Sequence, residues 1–306
     1  MIVELLLVLG GLALLVLGGD LLVKGAVGLS LKLGMTPLVV GLTVVAFGTS
    51  APELSAALKG SSGIAMGNVV GSNIANVLVI LGVTALVSVI VTKGHDLRES
   101  WGMMIAASLL LIGIALTGEI GRLEGVILLL ALAAVLWRQL STGRAEDTQA
   151  DGVDGATLGA GWGRIAVWLG LGLVLLPVGA NLLVNGATDI ARAFGISETV
   201  IGLTLVAIGT SLPELAASVA SALKGRADMA LGNVVGSNIF NILAILGITA
   251  VISPLPIPPE MLRLDLWVML GAALLLFPFL FRGISLTRPV GALFVAGYAA
   301  YAWVLL

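Results

Sequence analysis

Two glutamates stand in apolar sequence where a carboxylate is costly. Glu53 closes Gly41-Leu42-Thr43-Val44-Val45-Ala46-Phe47-Gly48-Thr49-Ser50-Ala51-Pro52-Glu53, and Glu214 closes Gly202-Leu203-Thr204-Leu205-Val206-Ala207-Ile208-Gly209-Thr210-Ser211-Leu212-Pro213-Glu214. Ten of the thirteen positions are identical, at a constant offset of 161. Thr49 and Glu53 lie four residues apart, so hydroxyl and carboxylate share a helical face. Pro52 lacks an N–H and crowds the Gly48 carbonyl, which frees or tilts carbonyls of the Ala46–Thr49 turn toward a cation. Ala207, Gly209, Thr210 and Pro213 repeat the arrangement. Carboxylates, carbonyls and hydroxyls make an all-oxygen shell, suited to a hard cation such as calcium. Two unpaired carboxylates would repel and one would hold a proton; one divalent or two monovalent ions would cancel their charge.

A second repeated motif supplies neutral oxygens. Gly67-Asn68-Val69-Val70-Gly71-Ser72-Asn73-Ile74 recurs unchanged as Gly232 to Ile239, now at an offset of 165. Asn68, Ser72 and Asn76 form a stripe at i, i+4 and i+8, reproduced by Asn233, Ser237 and Asn241. Gly67, Gly71, Gly232 and Gly236 permit close helix approach. For Asn68 and Asn233, packing or capping and ion ligation both stay open, since amide stripes also glue helices together. A structural role for Glu53 and Glu214 would need buried basic partners. The only lysine inside a predicted span is Lys24, with Asn185 at the matching position, and Asp20 can pair with Lys24 at i+4. His95 falls in a loop and is expected to be solvated.

The elements that hold these residues follow from composition. Of 306 residues 59% are hydrophobic and 10% charged, with a mean hydropathy of +1.16, far from the roughly 25% charged residues of a soluble domain. The chain reads as an all-α integral membrane protein with ten spans, at 3–29, 37–58, 64–90, 98–117, 122–140, 163–191, 198–222, 228–252, 261–281 and 287–305. Residues 1–17 lack a basic start and run on apolar to Val23, so they read as the first span rather than a signal peptide. A net charge of −2 gives no sign of a nucleic-acid partner, and the absence of cysteine excludes disulfides and thiolate chemistry. No nucleophile or cofactor motif appears, so neither an enzyme nor a cofactor is expected, and no obligatory protein partner is inferred.

The repeat extends beyond the two motifs. Gly18 to Ala26 matches Gly179 to Ala187, and Gly34-Met35-Thr36 matches Gly195-Ile196-Ser197, a glycine stop followed by a hydroxyl N-cap. Five spans per half is odd, so the second copy enters the membrane from the opposite face: an inverted repeat, with residues 1–140 and 163–306 as halves and the repeated cores near 37–90 and 198–252. The polar stretch 141–162 reads as a linker without chemistry of its own. Alternating the loops puts ten Lys/Arg on one side and four on the other, with Lys24 left within a span. That places the linker in the cytoplasm and both termini outside. The protein is therefore expected in the inner or plasma membrane, with the lipid bilayer as its surroundings.

The paired motifs Gly-Thr-Ser-x-Pro-Glu and Gly-Asn-x-x-Gly-Ser-Asn-x-x-Asn resemble the two alpha-repeats of the sodium/calcium exchanger family, within the cation/calcium antiporter superfamily. The resemblance covers both halves. It implies a calcium site on Glu53 and Glu214 with the carbonyls of Thr49 and Thr210. It implies sodium sites using Ala46, Ser50, Ser72, Ala207, Ser211 and Ser237, together with the Thr49 and Thr210 hydroxyls. Asn76 matches the central asparagine of the first repeat, and Asn241 stands where potassium-dependent relatives carry Asp, which disfavours potassium dependence. Calcium and sodium are thus the expected cargo of an antiporter working by alternating access, with the first and sixth spans sliding over the bundle on few polar anchors. Rival readings are a proton/calcium exchanger, which fits poorly because Val-Val-Gly-Ser follows the Gly-Asn, a cation channel, and a non-transporting scaffold.

Overall fold

Long apolar runs without water-facing polarity must close their backbone hydrogen bonds internally, and helices do so. The computed structural model describes residues 2–59, 62–93, 96–142, 159–196 and 209–305. Nine helices in them are long and apolar enough to cross a membrane: α1 (Ile2–Leu33), α2 (Pro37–Leu58), α3 (Ala65–Val87), α4 (Arg98–Ala115), α5 (Arg122–Thr142), α6 (Trp162–Ala193), α8 (Ala227–Ile252), α9 (Asp265–Arg282) and α10 (Arg288–Leu305). A shorter apolar helix, α7 (Leu212–Leu223), lies in the seventh expected span. The first part of that span, most of the linker, His95 and Ala207 are outside the described residues.

The turn chemistry forms where sequence placed it at the described positions, the expected cap Ser197 lying outside them. Gly34 and Gly195 both adopt left-handed φ, +62° and +77°, at the ends of α1 and α6. Thr36 then caps α2 by accepting from the Val39 N–H at 3.3 Å, with Pro37 at the first helical position. The interruptions differ in kind from those expected. α2 widens into a π-helical turn over Gly41–Val45 before its break at Ser50. α3 and α8 carry π turns over Asn76–Ile80 and Asn241–Leu246, each opening on the last asparagine of its stripe. Such turns recur at functional sites.

Packing crosses between the halves. α1 runs antiparallel to α6 along a glycine seam: a Cβ on Gly11 would lie 2.6 Å from the Gly179 carbonyl oxygen, and one on Gly172 2.8 Å from Leu22 Cα. α2 lies against α8, where added Cβ atoms on Gly232 and Gly236 would meet the Leu38 and Leu42 carbonyl oxygens at 2.9 and 2.4 Å. That bears out the close approach expected at those two glycines. Thr199 and Leu203, which correspond to Leu38 and Leu42, lie outside the described residues, so Gly67 and Gly71 stay untested.

The loops pair crosswise too. Ile90, after α3, bridges antiparallel to Leu286, before α10. Glu119 and Ile120, before α5, pair with Pro256 and Leu255, after α8. Each half's connection between its third and fourth helices is therefore tied to the other half's connection between its fourth and fifth. The largest core cluster draws on both halves, with Val70, Ile74, Leu81, Val235, Ile239 and Leu246 among its most buried members.

Candidate functional site

Glu53 and Glu214 occupy equivalent places. After the break at Ser50 (ψ 6°) helix resumes at Ala51, and after Ser211 (ψ 6°) it resumes at Leu212. Pro52 and Pro213 sit in the first turns, where a missing N–H costs nothing, and the glutamates follow. A carboxylate there is favoured by the helix dipole. Both side chains are only 1% exposed. The two breaks converge: the Ser50 hydroxyl donates to Glu214 Oε1 at 3.2 Å. Thr210 and Ser211 neighbour Glu53 as Thr49 and Ser50 neighbour Glu214. Neither glutamate forms an ion pair with a described residue, and Lys24 is engaged by Asp20 at 2.9 Å, the i+4 pairing the spacing predicts.

Asn233 holds the frame. Its amide donates to the Glu214 carbonyl at 3.2 Å and to Ser218 Oγ at 3.0 Å, while its oxygen accepts from the Thr49 hydroxyl at 3.3 Å. The alternative left open by sequence resolves toward packing at this residue. Asn68 differs because Ala57 stands where Ser218 would correspond, and its buried amide nitrogen has no partner.

At the crossing of α3 and α8, four amides close a symmetric network. Asn73 donates to the Asn238 carbonyl and Asn238 to the Asn73 carbonyl, both at 3.3 Å. Asn76 donates to Asn238 Oδ1 at 2.9 Å, and Asn241 to Asn73 Oδ1 at 3.0 Å. Met269 and Met104 sulfurs take a further contact from Asn73 and Asn238, at 3.6 Å each. These bonds fix the amide orientations of Asn76 and Asn241 and leave their oxygens as the free ends. Asn73 and Asn238 were not among the sequence candidates. Their signal was membership of the repeated Gly-Ser-Asn motif, although they fall off the i, i+4 stripe.

Eight buried oxygens on the candidate residues have no partner: both Oε atoms of Glu53, Glu214 Oε2, Thr210 Oγ1, Ser211 Oγ, Ser237 Oγ, Asn76 Oδ1 and Asn241 Oδ1. Each buried acceptor left unmet costs about 1–3 kcal/mol, more when charged. Such a set is tolerable where a cation accepts their lone pairs, and its hardness suits Na⁺ or Ca²⁺. Ser72 is buried at 4% exposure, and the Ala46 carbonyl accepts the Ser50 N–H at 3.0 Å and the Thr49 hydroxyl at 3.3 Å. Among the described residues no group of three or more His, Cys, Asp or Glu converges, so anionic charge comes from the glutamate pair alone. A cavity of about 130 Å³ reaches from Pro177 and Asn181 on α6 to Pro52, Thr210 and Pro213.

Known proteins share this plan. The family model described as "Sodium/calcium exchanger protein" matches twice, over residues 3–141 and 164–306. The putative antiporter CaxA of Alkalimonas amylolytica is 40% identical over 288 residues, covering 90% of this chain and 89% of that protein. The sodium/calcium exchanger MaX1 of Methanosarcina acetivorans is 36% identical, covering 99% of this chain and 98% of its own length. A solved structure of the sodium-calcium exchanger NCX_Mj superposes with a TM-score of 0.84 at 33% identity, covering 100% of this chain and 99% of that one. The all-helical fold and the expected membership are thereby met: the chain is a multi-pass integral membrane protein of the sodium/calcium exchanger family of antiporters.

Proposed function

We propose that this protein exchanges Na⁺ for Ca²⁺ by alternating access at the site built on Glu53 and Glu214. The observation that carries this reading is the cluster of eight unpartnered buried oxygens around two carboxylates without a basic partner. One Ca²⁺ or two Na⁺ neutralise the pair, and either occupancy lets a carboxylate cage cross a dry barrier. With neither bound the two carboxylates repel, and a proton on one still leaves the other charged and desolvated, which disfavours crossing empty. Ca²⁺ takes Glu53 and Glu214 with the Thr49 and Thr210 carbonyls. Na⁺ takes the shell of Ser50, Ser72, Ser211 and Ser237, with Asn76, Asn241 and the carbonyls of Ala46 and Ala207.

Residues 1–140 and 163–306 form the inverted halves, an organisation supported by the double family match and by the crosswise loop pairing. α1 and α6 slide together across the remaining helices. Their glycine seam binds the two into one body, and the cavity beside Pro177 supplies a path to the cage. The linker faces the cytoplasm and the termini lie outside.

The test is calcium flux in proteoliposomes under an imposed sodium gradient, with membrane potential clamped at two values. Sodium-dependent uptake supports the exchange, and a response of that uptake to potential would mean that more than two Na⁺ move per Ca²⁺. Uptake driven by a pH gradient without sodium would replace the reading with proton/calcium exchange.

A further inference from the structure

On the rim where Ile90 meets Leu286, three cations converge on one cavity. Lys93 precedes α4, Arg98 opens it, and Arg282 closes α9; all three are exposed. With Thr92 and Asp96 they line a recess of about 390 Å³ floored by Leu280 and Phe281. No carboxylate among the described residues forms an ion pair with any of the three. Asp96 is committed instead to the Arg98 backbone N–H, at 3.2 Å. Arg98 packs its guanidinium over the Phe281 ring at 5.4 Å and donates to the Phe281 carbonyl at 3.4 Å.

The walls of the recess are fixed. Thr92 Oγ1 donates to the Ile284 carbonyl at 3.1 Å, next to the Ile90–Leu286 bridge. Gly283 turns at φ +63° and the stem of Lys93 lies against it, 3.7 Å from where a Cβ would stand. Beneath the cations Trp101, Phe277 and Phe281 stack with centroids 4.5 to 5.7 Å apart. A tryptophan at the start of a spanning helix, as Trp101 is, suits the headgroup depth of a bilayer. Three cations against the single carboxylate of Asp96 leave the recess net positive, and gathering them there is unfavourable unless a further anion joins.

The opposite rim provides an internal control. There the equivalent pairing joins Glu119 to Pro256 and Ile120 to Leu255, beside Glu124, Pro258 and Glu260, with Arg122 opening α5 and Arg263 near the start of α9. At the offset of 165 Lys93 and Arg282 correspond to Pro258 and Thr117, and only Arg98 has a basic counterpart, Arg263, so the fold does not demand all three cations at this place. A bias of basic residues toward one membrane face accounts for their sign, but not for their gathering around one aromatic-floored recess.

We propose that Lys93, Arg98 and Arg282 form a site for a phosphate-bearing headgroup of an anionic lipid, seated at the junction of α4 and α9. Basic pockets between spanning helices bind such headgroups. The ligand chemistry is a phosphate, which a lipid or free phosphate could supply.

The test is native mass spectrometry of the intact detergent-solubilised protein, titrated with phosphatidylglycerol, with phosphatidylcholine and with inorganic phosphate. The comparison is with Lys93→Ala, Arg282→Ala and the double variant, all outside the ion site. Phosphatidylglycerol should be retained roughly tenfold more tightly than phosphatidylcholine, and each alanine should weaken it by roughly fivefold. Inorganic phosphate lost in step with the same alanines would assign the site to the free ion, keeping the chemistry and replacing the lipid. Unchanged phosphatidylglycerol retention in the double variant, with unaltered thermal unfolding, would overturn the site. Arg98→Lys keeps the charge but weakens the stack on Phe281 and should fall between wild type and alanine.

Discussion

The two halves of the molecule agree at the centre and disagree toward the edges. Asn73 and Asn76 bond to the second half as Asn238 and Asn241 bond to the first, and even Met104 and Met269 mirror one another. Away from that crossing the copies part. Ser50 reaches Glu214, whereas Ser211 and both Glu53 oxygens are unpartnered. Asp20 holds Lys24 and also Lys224, the latter at 2.5 Å, while Asn181 at the matching place bonds, among the described residues, only to its own helix at Pro177. A cage that must open to either face is best held by a symmetric frame. Under the alternating access proposed above, asymmetry at the carboxylates and at α1 is expected to bias which face is preferred at rest.

The largest break in this comparison comes from the carboxylates. Glu53→Gln or Glu214→Gln should each abolish sodium-driven ⁴⁵Ca uptake in vesicles, at least a hundredfold below wild type. Calcium should raise the unfolding temperature of the wild type, because a ligand that binds only the folded state stabilises it. Neither variant should respond. Wild-type uptake in either one removes the pair from the site.

Next in size is the amide frame. Asn73→Ala and Asn238→Ala each remove a bond to a backbone carbonyl and leave the amide of a neighbouring asparagine without its partner, and each should cost about 2–4 kcal/mol of stability, with the two costs alike. A large difference between them, measured by thermal unfolding, would mean that the frame is not shared equally. Gly11→Val tests the seam. Its Cβ would enter the Gly179 carbonyl at 2.6 Å, so α1 and α6 must separate, and flux should fall about tenfold or more while calcium-dependent stabilisation survives. Loss of binding together with flux would tie the seam to the cage rather than to movement.

Much of this was legible in the sequence because lipid is an unforgiving solvent. Glu53 and Glu214 announce themselves as charges in apolar runs, and the offsets of 161 and 165 expose the repeat. Gly34, Gly195 and the Thr36 cap could be read from local turn chemistry. Asn73 and Asn238 could not be singled out, because their partners are set by the angle at which α3 crosses α8. The π turns at Asn76 and Asn241 are invisible to a 3.6-residue periodicity. One polar anchor on the first span could not be read from spacing: Lys224, 204 residues from Asp20, fastens α1 to the end of α7. No spacing rule reaches across that distance.

That fastening yields the smallest expected effect and the sharpest test of the asymmetry. Asp20 is 39% exposed and Lys224 26%, so solvent screens the pair, and about 0.2–1 kcal/mol is its expected worth. Lys224→Gln removes the link to α7 while Asp20 keeps Lys24. The equilibrium between the two access states should then move by roughly 1.4- to 5-fold, away from the conformation described here. Hydrogen exchange along α1 should rise near Asp20, and the ratio of apparent calcium affinities from the two membrane faces should change by the same factor. Among the described residues Asn181 has no such partner to lose, so Asn181→Ala should leave that ratio unmoved. Equal shifts from both substitutions would make the preference a property of the α1/α6 body as a whole, and the ion pair only a passenger on it.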